Sequence, residues 1–420
     1  MLGQNFSRRF YLLTGLMFLS LCFSFVFPLL GPLLAELGRL DPVEAALAIA
    51  LIALINGLCQ PALGAGLDRG NVALPFLVSP LGVSGGLVVL LRPPEQPWGL
   101  MAGLLALAIG TGTMITASRT LTLGSLTGKQ REEAAAFFFL VFNLAISVAA
   151  LVARALVESH RGFLIAADLG ITLLVTVIIF AIAARALQPA GDKGAPFRGN
   201  PGKNGKRLAA VVRKNTRSLL ALFLLGTSIN VAFRYFPLLW FSREGDPGEK
   251  TALMLLINTV GIVLLSQPLN VVLRRLPVRV TLRIAALFFA GGLFSIAVRS
   301  DLPGLIVGTV LLTIGEVGLA RVEMPLIYEG FRQDEGGLAS GFTGLMHALE
   351  KVAGPLIAAG LLSMGELASW LCLLFLPLGV FPVLAGRSVF AFPRPASLPI
   401  RGRPGPFRRK AGAGQSAGVA

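Results

Sequence analysis

Long apolar stretches with little charge are the feature of this sequence that most restricts its fold. Twelve of them lie between residues 10 and 384, and most match the ~20 residues that a helix needs to cross a bilayer. Only helices or closed barrels span lipid, because every backbone polar group must be bonded internally. Barrel strands alternate in polarity, and these stretches do not. The sequence therefore predicts an all-α polytopic membrane protein with twelve transmembrane helices.

The composition supports this class and excludes an ordinary soluble domain. Of the 420 residues, 55% are hydrophobic and 14% are charged, whereas soluble domains carry about 25% charged residues. The three cysteines lie in apolar stretches, so no disulfide framework is predicted. No CxxC or HExxH spacing is present, so the sequence predicts neither a metal site nor a cofactor. The predicted spans are residues 10–35, 43–67, 72–91, 98–126, 134–157, 163–187, 218–241, 251–273, 280–298, 305–327, 338–362 and 367–384.

The net charge of +16 is distributed unevenly between the two sides of the predicted membrane. With a cytoplasmic N-terminus, the inner segments total +20 and the outer loops total −4, while charges within the spans cancel. Basic inner loops are the signature of the positive-inside rule. We therefore predict an inner (plasma) membrane protein with both termini in the cytoplasm. Its basic charge is explained by topology and anionic lipid, not by nucleic acid.

A basic segment in the middle of the chain divides the predicted spans into six and six. Residues 188–217 are rich in Gly, Pro, Lys and Arg and read as a flexible cytoplasmic linker. Residues 1–187 and 218–387 are then two six-helix bundles, and residues 388–420 are a disordered basic tail. Short repeats support this division: FPLL at Phe27 recurs at Phe236, and the Gln60-Pro61 pair recurs at Gln267-Pro268. Parallel repeats of this kind are typical of transporters.

The segment from Gly64 to Gly70, GAGLDRG, resembles the G-x-x-x-D-R-x-G-R motif of the major facilitator superfamily (MFS). One residue is missing before its glycine, and Asn71 stands where a base is usual. With the twelve spans and the basic linker, nearly the whole chain resembles a transporter of this superfamily, with no subfamily assigned. The glycine-proline signature of its antiporters is absent from the fifth predicted span. The resemblance implies the MFS fold, acting as a monomer.

The charges of this motif suggest a gate. Asp68 and Arg69 lie in a short turn at the predicted cytoplasmic end of the second span. A carboxylate there could cap a neighbouring helix N-terminus and pair with a base in one conformation only. Gly64, Asp68 and Arg69 would then form a latch for the inner gate. A plain tight turn at Gly70 is the alternative.

Several ionisable residues lie deep within the predicted spans, where each costs ~2.5–3.5 kcal/mol without a partner or a water-filled cavity. Glu350 and Lys351 adjoin in the eleventh span, and His347 lies one turn away. In the superfamily pattern, the first, fourth, seventh and tenth helices line the cavity. That pattern implies that four further charged residues face inward: Arg119, Arg234, Glu316 and Glu323. All seven residues are candidates for a substrate or proton pathway, and a buried charge network that joins helices is the alternative.

We therefore predict a secondary active transporter that moves a small solute by alternating access and is driven by protons. Glu316 is the preferred coupling carboxylate, with Glu350 and Lys351 beside it. The substrate stays open among small organic anions, zwitterions and amphipathic exported compounds. A non-transporting membrane sensor or assembly scaffold is the alternative. No catalytic triad, HExxH, paired-aspartate or Walker A arrangement is present, so neither an enzyme nor ATP drive is predicted.

Overall fold

A computed structural model describes residues 8–22, 42–69, 73–91, 96–124, 126, 128–186, 204–244, 248–299, 301–332 and 335–385. Regular structure in these ranges is entirely helical. The helices are α1 (Arg8–Cys22), α2 (Pro42–Asp68), α3 (Ala73–Leu91), α4 (Pro97–Leu123), α5 (Gly128–Ala186), α6 (Asn204–Glu244), α7 (Gly248–Leu273), α8 (Val278–Val298), α9 (Leu302–Glu329), α10 (Gly336–Leu362), α11 (Glu366–Leu378) and α12 (Val380–Val383).

Most of these helices are long and apolar, as the sequence predicts for a membrane protein. By length and composition, seven segments within the described residues are able to cross a bilayer. They are Leu47–Asp68, Trp98–Leu123, Gly205–Phe233, Leu253–Leu273, Val278–Val298, Leu302–Glu329 and Gly336–Leu362. Shorter apolar segments occur in α3 and α5 and across α11 and α12. The structure thus confirms the all-α membrane class, while the count of twelve spans stays a prediction.

The described helices do not match the predicted spans one to one. The fifth predicted span and all but the last residue of the sixth lie within the single helix α5, and the twelfth is divided between α11 and α12. The first predicted span is described only as far as Cys22. Helix α6 begins at Asn204, so the last part of the predicted flexible linker is helical. A non-helical residue, Asn215, separates this basic segment from the apolar part of α6.

Helix α5 cannot be straight, although its helical structure continues over 59 residues. The ring of Phe137 lies 5.8 Å from that of Phe10 in α1. Val175 belongs to a buried cluster with Leu13 and Leu16 of the same short helix. A straight helix would separate Phe137 from Val175 by about 57 Å, several times the length from Phe10 to Leu16. The two halves of α5 must therefore turn back on each other, as two adjacent spans do.

Helices α2 and α10 pack along each other through small residues. Gly64 of α2 faces the backbone of Gly337, where a side chain on either residue would overlap the other helix. Farther along α10, a Cβ on Gly341 would lie 2.7 Å from Cα of Pro61. Small residues let membrane helices approach this closely. This contact joins one helix from each predicted bundle.

Residues Met1–Val389 group into one compact unit, and Phe390–Ala420 form a second unit outside the described residues. The predicted linker is described only from residue 204 onward, and the predicted tail lies outside the described residues. The division of the first unit into two six-helix bundles therefore stays a prediction.

Candidate functional site

A cavity of about 280 Å³ lies between helices from both predicted halves of the chain. Helices α2, α4 and α5 contribute residues on one side, and α6, α9 and α10 contribute residues on the other. Most of the predicted pathway residues line this cavity: Arg119, Glu316, Glu323, His347, Glu350 and Lys351. Arg234 lies in α6, but its side chain is outside the described part of the structure. Apolar residues and several uncharged polar residues also line it, the latter being Asn56, Gln60, Thr111, Asn143 and Asn230.

His347 lies between an acid and a base from two other helices. Its Nε2 is 2.7 Å from Oε1 of Glu323 in α9. Its Nδ1 is 3.5 Å from Nη2 of Arg119 in α4. A guanidinium only donates hydrogen bonds, so the arrangement fits the tautomer in which Nε2 carries the proton and Nδ1 accepts. This chain of contacts links α4 in the first half with α9 and α10 in the second.

Arg119 is almost fully buried at this point. The side chain is 4% exposed, and its guanidinium lies 5.7 Å from the ring centre of Phe138 in α5. Its Nε has no hydrogen-bond partner among the described residues. A buried guanidinium with an unused donor at a cavity wall is a site at which an anionic group can bind.

Glu350 lies on the same side of the cavity and is 5% exposed. One oxygen of its carboxylate, one of Glu323 and a ring nitrogen of His347 all lie within 4.8 Å of one another. The carboxylate packs on Gly226 of α6, where any Cβ would overlap it. The adjacent Lys351 is exposed, although it also contributes to the cavity lining. The two neighbours therefore point into different surroundings, as consecutive helical residues must.

Glu316 lies on α9, two turns before Glu323, and has different partners. Its Oε2 accepts a hydrogen bond of 3.1 Å from Nδ2 of Asn258 in α7. The hydroxyl of Thr313 donates to Oδ1 of the same Asn258 at 2.7 Å, which fixes the orientation of the amide. Asn258 is neutral, so this hydrogen bond leaves the charge of Glu316 uncompensated. The sequence does not indicate this pair, because the spacing along a chain does not pair residues of different helices.

The gating-motif residues lie against the start of α10. The two carboxylate oxygens of Asp68 accept hydrogen bonds from the backbone N–H groups of Gly337 and Leu338, at 2.6 and 2.7 Å. Asp68 is only 3% exposed, and Gly64 packs directly on Gly337. Nε of Arg69 instead donates to the carbonyl of Ala65 in its own helix, at 3.0 Å. The carboxylate thus caps a helix of the other predicted half, and the gating role itself stays a prediction.

Other contacts between the predicted halves lie at this same end of the bundle, which we call the Asp68 end. The hydroxyl of Ser340 in α10 donates to the carbonyl of Thr116 in α4 at 3.1 Å. The guanidinium of Arg131 in α5 lies 5.0 Å from the ring centre of Tyr328 in α9. Sequence reasoning did not single out either pair. A cation–π partner and a backbone acceptor leave no signal in the spacing of residues.

A bundle of apolar helices around a charged cavity, with its two halves in contact at one end, is the architecture of a membrane transporter. The family profile of the Major Facilitator Superfamily matches residues 12–264, and the chain belongs to this family. Its fold is similar to the crystal structure of the human organic anion transporter MFSD10 (TETRAN). That comparison has a TM-score of 0.71 and 17% sequence identity, and covers 91% of this chain and 100% of the human chain. No curated protein matches the chain.

Proposed function

We propose that this chain is a proton-coupled secondary transporter that moves a small charged organic solute across the plasma membrane by alternating access. The observation that carries this proposal is the charged cavity between the two predicted halves. Buried charges are costly unless they are paired or used. A carrier of neutral sugars needs only uncharged polar and aromatic groups, whereas this cavity holds both acids and bases.

An organic anion is the first substrate class to test. Arg119 supplies a buried positive group whose Nε has no hydrogen-bond partner among the described residues. A substrate carboxylate in the cavity would form a charge-assisted hydrogen bond with this guanidinium. The human transporter with a similar fold carries organic anions, which supports the same choice. Zwitterions and amphipathic compounds are the next classes.

The Asp68 contact acts in this proposal as the latch that holds one end of the cavity closed. Its carboxylate joins α2 of the first half to the N-terminus of α10 in the second. Opening at this end requires both hydrogen bonds to break. In alternating access, the cavity would open at this end while it closes at the other.

Glu316 is the proposed coupling residue. It lines the cavity, and the partner described for its carboxylate is the neutral Asn258. A carboxylate within a membrane span and without a compensating charge is costly, and a proton taken up from the cavity removes that cost. Other charged groups share the cavity and would modulate proton uptake: Arg119, Glu323, His347, Glu350 and Lys351.

The test uses proteoliposomes and a substrate identified by a thermal-shift screen of metabolite and drug libraries. Glu316→Gln should abolish accumulation driven by a proton gradient but leave exchange without a gradient substantially intact. Glu329→Gln, at the exposed end of the same helix, is the matched control and should retain both. Accumulation by Glu316→Gln at the unaltered rate would remove Glu316 from coupling. Substrate binding with no transport by the unaltered protein would favour the sensor or scaffold alternative.

A further inference from the structure

We infer that Glu323, His347 and Glu350 form a binding site for one divalent first-row transition-metal cation, such as Zn²⁺ or Mn²⁺. The inference goes beyond the proposed function, and it concerns a site that no sequence spacing indicates. The three residues come from two helices, α9 and α10, and share one wall of the cavity. Metal sites in helical bundles are built in this way, from side chains on facing helices.

The distances match a metal-coordination shell with small side-chain movements. Ligand atoms bound at about 2.1 Å lie about 3.4 Å apart in the tetrahedral shell typical of Zn²⁺. In an octahedral shell they lie about 3.0 Å apart at right angles and about 4.2 Å apart when opposite. Nε2 of His347 and Oε1 of Glu323 are 2.7 Å apart, a hydrogen-bonded separation that would lengthen when a metal replaces the proton between them. The three ligand atoms all fall within 4.8 Å of one another. A shift of about 1 Å at the Glu350 carboxylate is enough to complete the set.

The charges of the site also favour a cation. Two carboxylates at this separation repel each other, and Glu350 is 5% exposed. Among the described residues, no hydrogen bond to its carboxylate is present. Its neighbour Lys351 has an exposed side chain whose positive charge acts on this carboxylate without a hydrogen bond. A divalent cation would neutralise the charge of both carboxylates, and the Glu350 carboxylate would coordinate it.

The donor types determine which cation fits. One imidazole and two carboxylates suit Zn²⁺, Mn²⁺, Fe²⁺ or Co²⁺. Ca²⁺ prefers six to eight oxygen ligands, and Mg²⁺ retains most of its water, so neither should compete. The cavity leaves space for water to occupy the remaining coordination positions.

Arg119 competes with the metal for His347. When Nε2 binds a metal, a neutral imidazole carries its proton on Nδ1. Nδ1 is then unable to accept from the guanidinium of Arg119, which lies 3.5 Å away. Metal binding must therefore release Arg119 from His347. Removal of the Arg119 charge should strengthen metal binding, whereas removal of a ligand should weaken it.

The experiment measures metal binding by the full-length chain, purified in detergent without a polyhistidine tag. Equilibrium dialysis against ZnCl₂ and elemental analysis give the stoichiometry, and Co²⁺ reports ligand geometry through its visible absorption. We expect one Zn²⁺ per chain that millimolar Mg²⁺ does not displace. His347→Asn and Glu350→Gln should each weaken this binding by about tenfold or more. Arg119→Met should tighten it.

Glu316→Gln is the matched control. It removes a carboxylate from the same cavity and the same helix as Glu323, but Glu316 is not one of the three proposed ligands. It should leave Zn²⁺ binding unchanged. Size-exclusion profiles and thermal unfolding verify that each variant is folded. Equal Zn²⁺ binding by folded His347→Asn and Glu350→Gln would overturn the inference, as would displacement by Mg²⁺. Because the assay needs no transport, its outcome is independent of the proposed function.

Discussion

Replacement of Asp68 by Asn tests whether the contact between α2 and α10 is a latch. The carboxylate accepts two short hydrogen bonds, from the N–H groups of Gly337 and Leu338. Asparagine has nearly the same shape but only one acceptor oxygen, and its amide NH₂ would face the second N–H group. The substitution therefore removes the negative charge and one hydrogen bond while it preserves the packing. The closed state at the Asp68 end should lose stability relative to the open state.

The size of this effect follows from the two bonds. A hydrogen bond to a charged group contributes about 1.5–3 kcal/mol, and a buried N–H without a partner costs a similar amount. We take about 2 kcal/mol as the loss for Asp68→Asn, which changes the ratio of closed to open protein about thirtyfold. The charge also interacts favourably with the N-terminal end of the α10 dipole, so the true effect should not be smaller.

The assay is a distance measurement between spin labels in a cysteine-free background. Labels at Gln130, at the start of α5, and Arg275, in the turn after α7, occupy exposed positions in the two predicted halves. Pulsed electron-spin resonance in lipid nanodiscs should show a longer, broader distance distribution for Asp68→Asn. An unaltered distribution in a folded variant would refute the latch and favour a plain tight turn.

Asp301→Asn is the matched control for this experiment. Asp301 also caps a helix, because its Oδ1 accepts from the N–H of Gly304 at 3.1 Å. The pKa of Asp301 lies below its usual value because this N–H and the guanidinium of Arg299 bind the ionised carboxylate. Both partners are local and the residue is exposed. Its substitution should therefore leave the label distances unchanged.

Two further predictions use the packing and the topology. Gly341→Leu should separate α2 from α10 at the Asp68 end and lengthen the same label distance, because a Cβ there would lie 2.7 Å from Cα of Pro61. Gly360→Leu in the same helix has no atom within 4 Å of its Cβ and should change nothing; equal behaviour of both variants would contradict the packing argument. Reporters fused at Gly199 and Gly245 should lie in the cytoplasm and outside it, respectively. The opposite result at either position would overturn the predicted topology.

Much of the fold could be predicted because the bilayer imposes a length and an apolar surface on each span. The predicted stretch 338–362 lies within α10 (Gly336–Leu362), and 251–273 lies within α7 (Gly248–Leu273). Helix ends in polar segments were harder to predict. The basic segment from Asn204 to Asn215 is helical, and its Arg207 pairs with Glu335 at 3.1 Å. A contact across 128 positions of sequence is invisible in local composition.

The candidate site shows the same limit at the level of side chains. The seven-residue spacing of Glu316 and Glu323 places both on one face of a helix, and both line the cavity. Their partners nevertheless differ, since Glu316 binds Asn258 and Glu323 pairs with His347.

The difference between the two carboxylates arises from which side chains of α7 and α10 face α9. The hydrophobic periodicity of the sequence does not determine this orientation. Because α7 presents an amide and α10 presents an imidazole, we propose that the carboxylate beside the amide is the one that exchanges a proton. The carboxylate beside the imidazole shares its neighbour with Arg119 and, as we infer, with a metal. Two glutamates on one face of α9 thus have different hydrogen-bonding partners, because different helices pack against them.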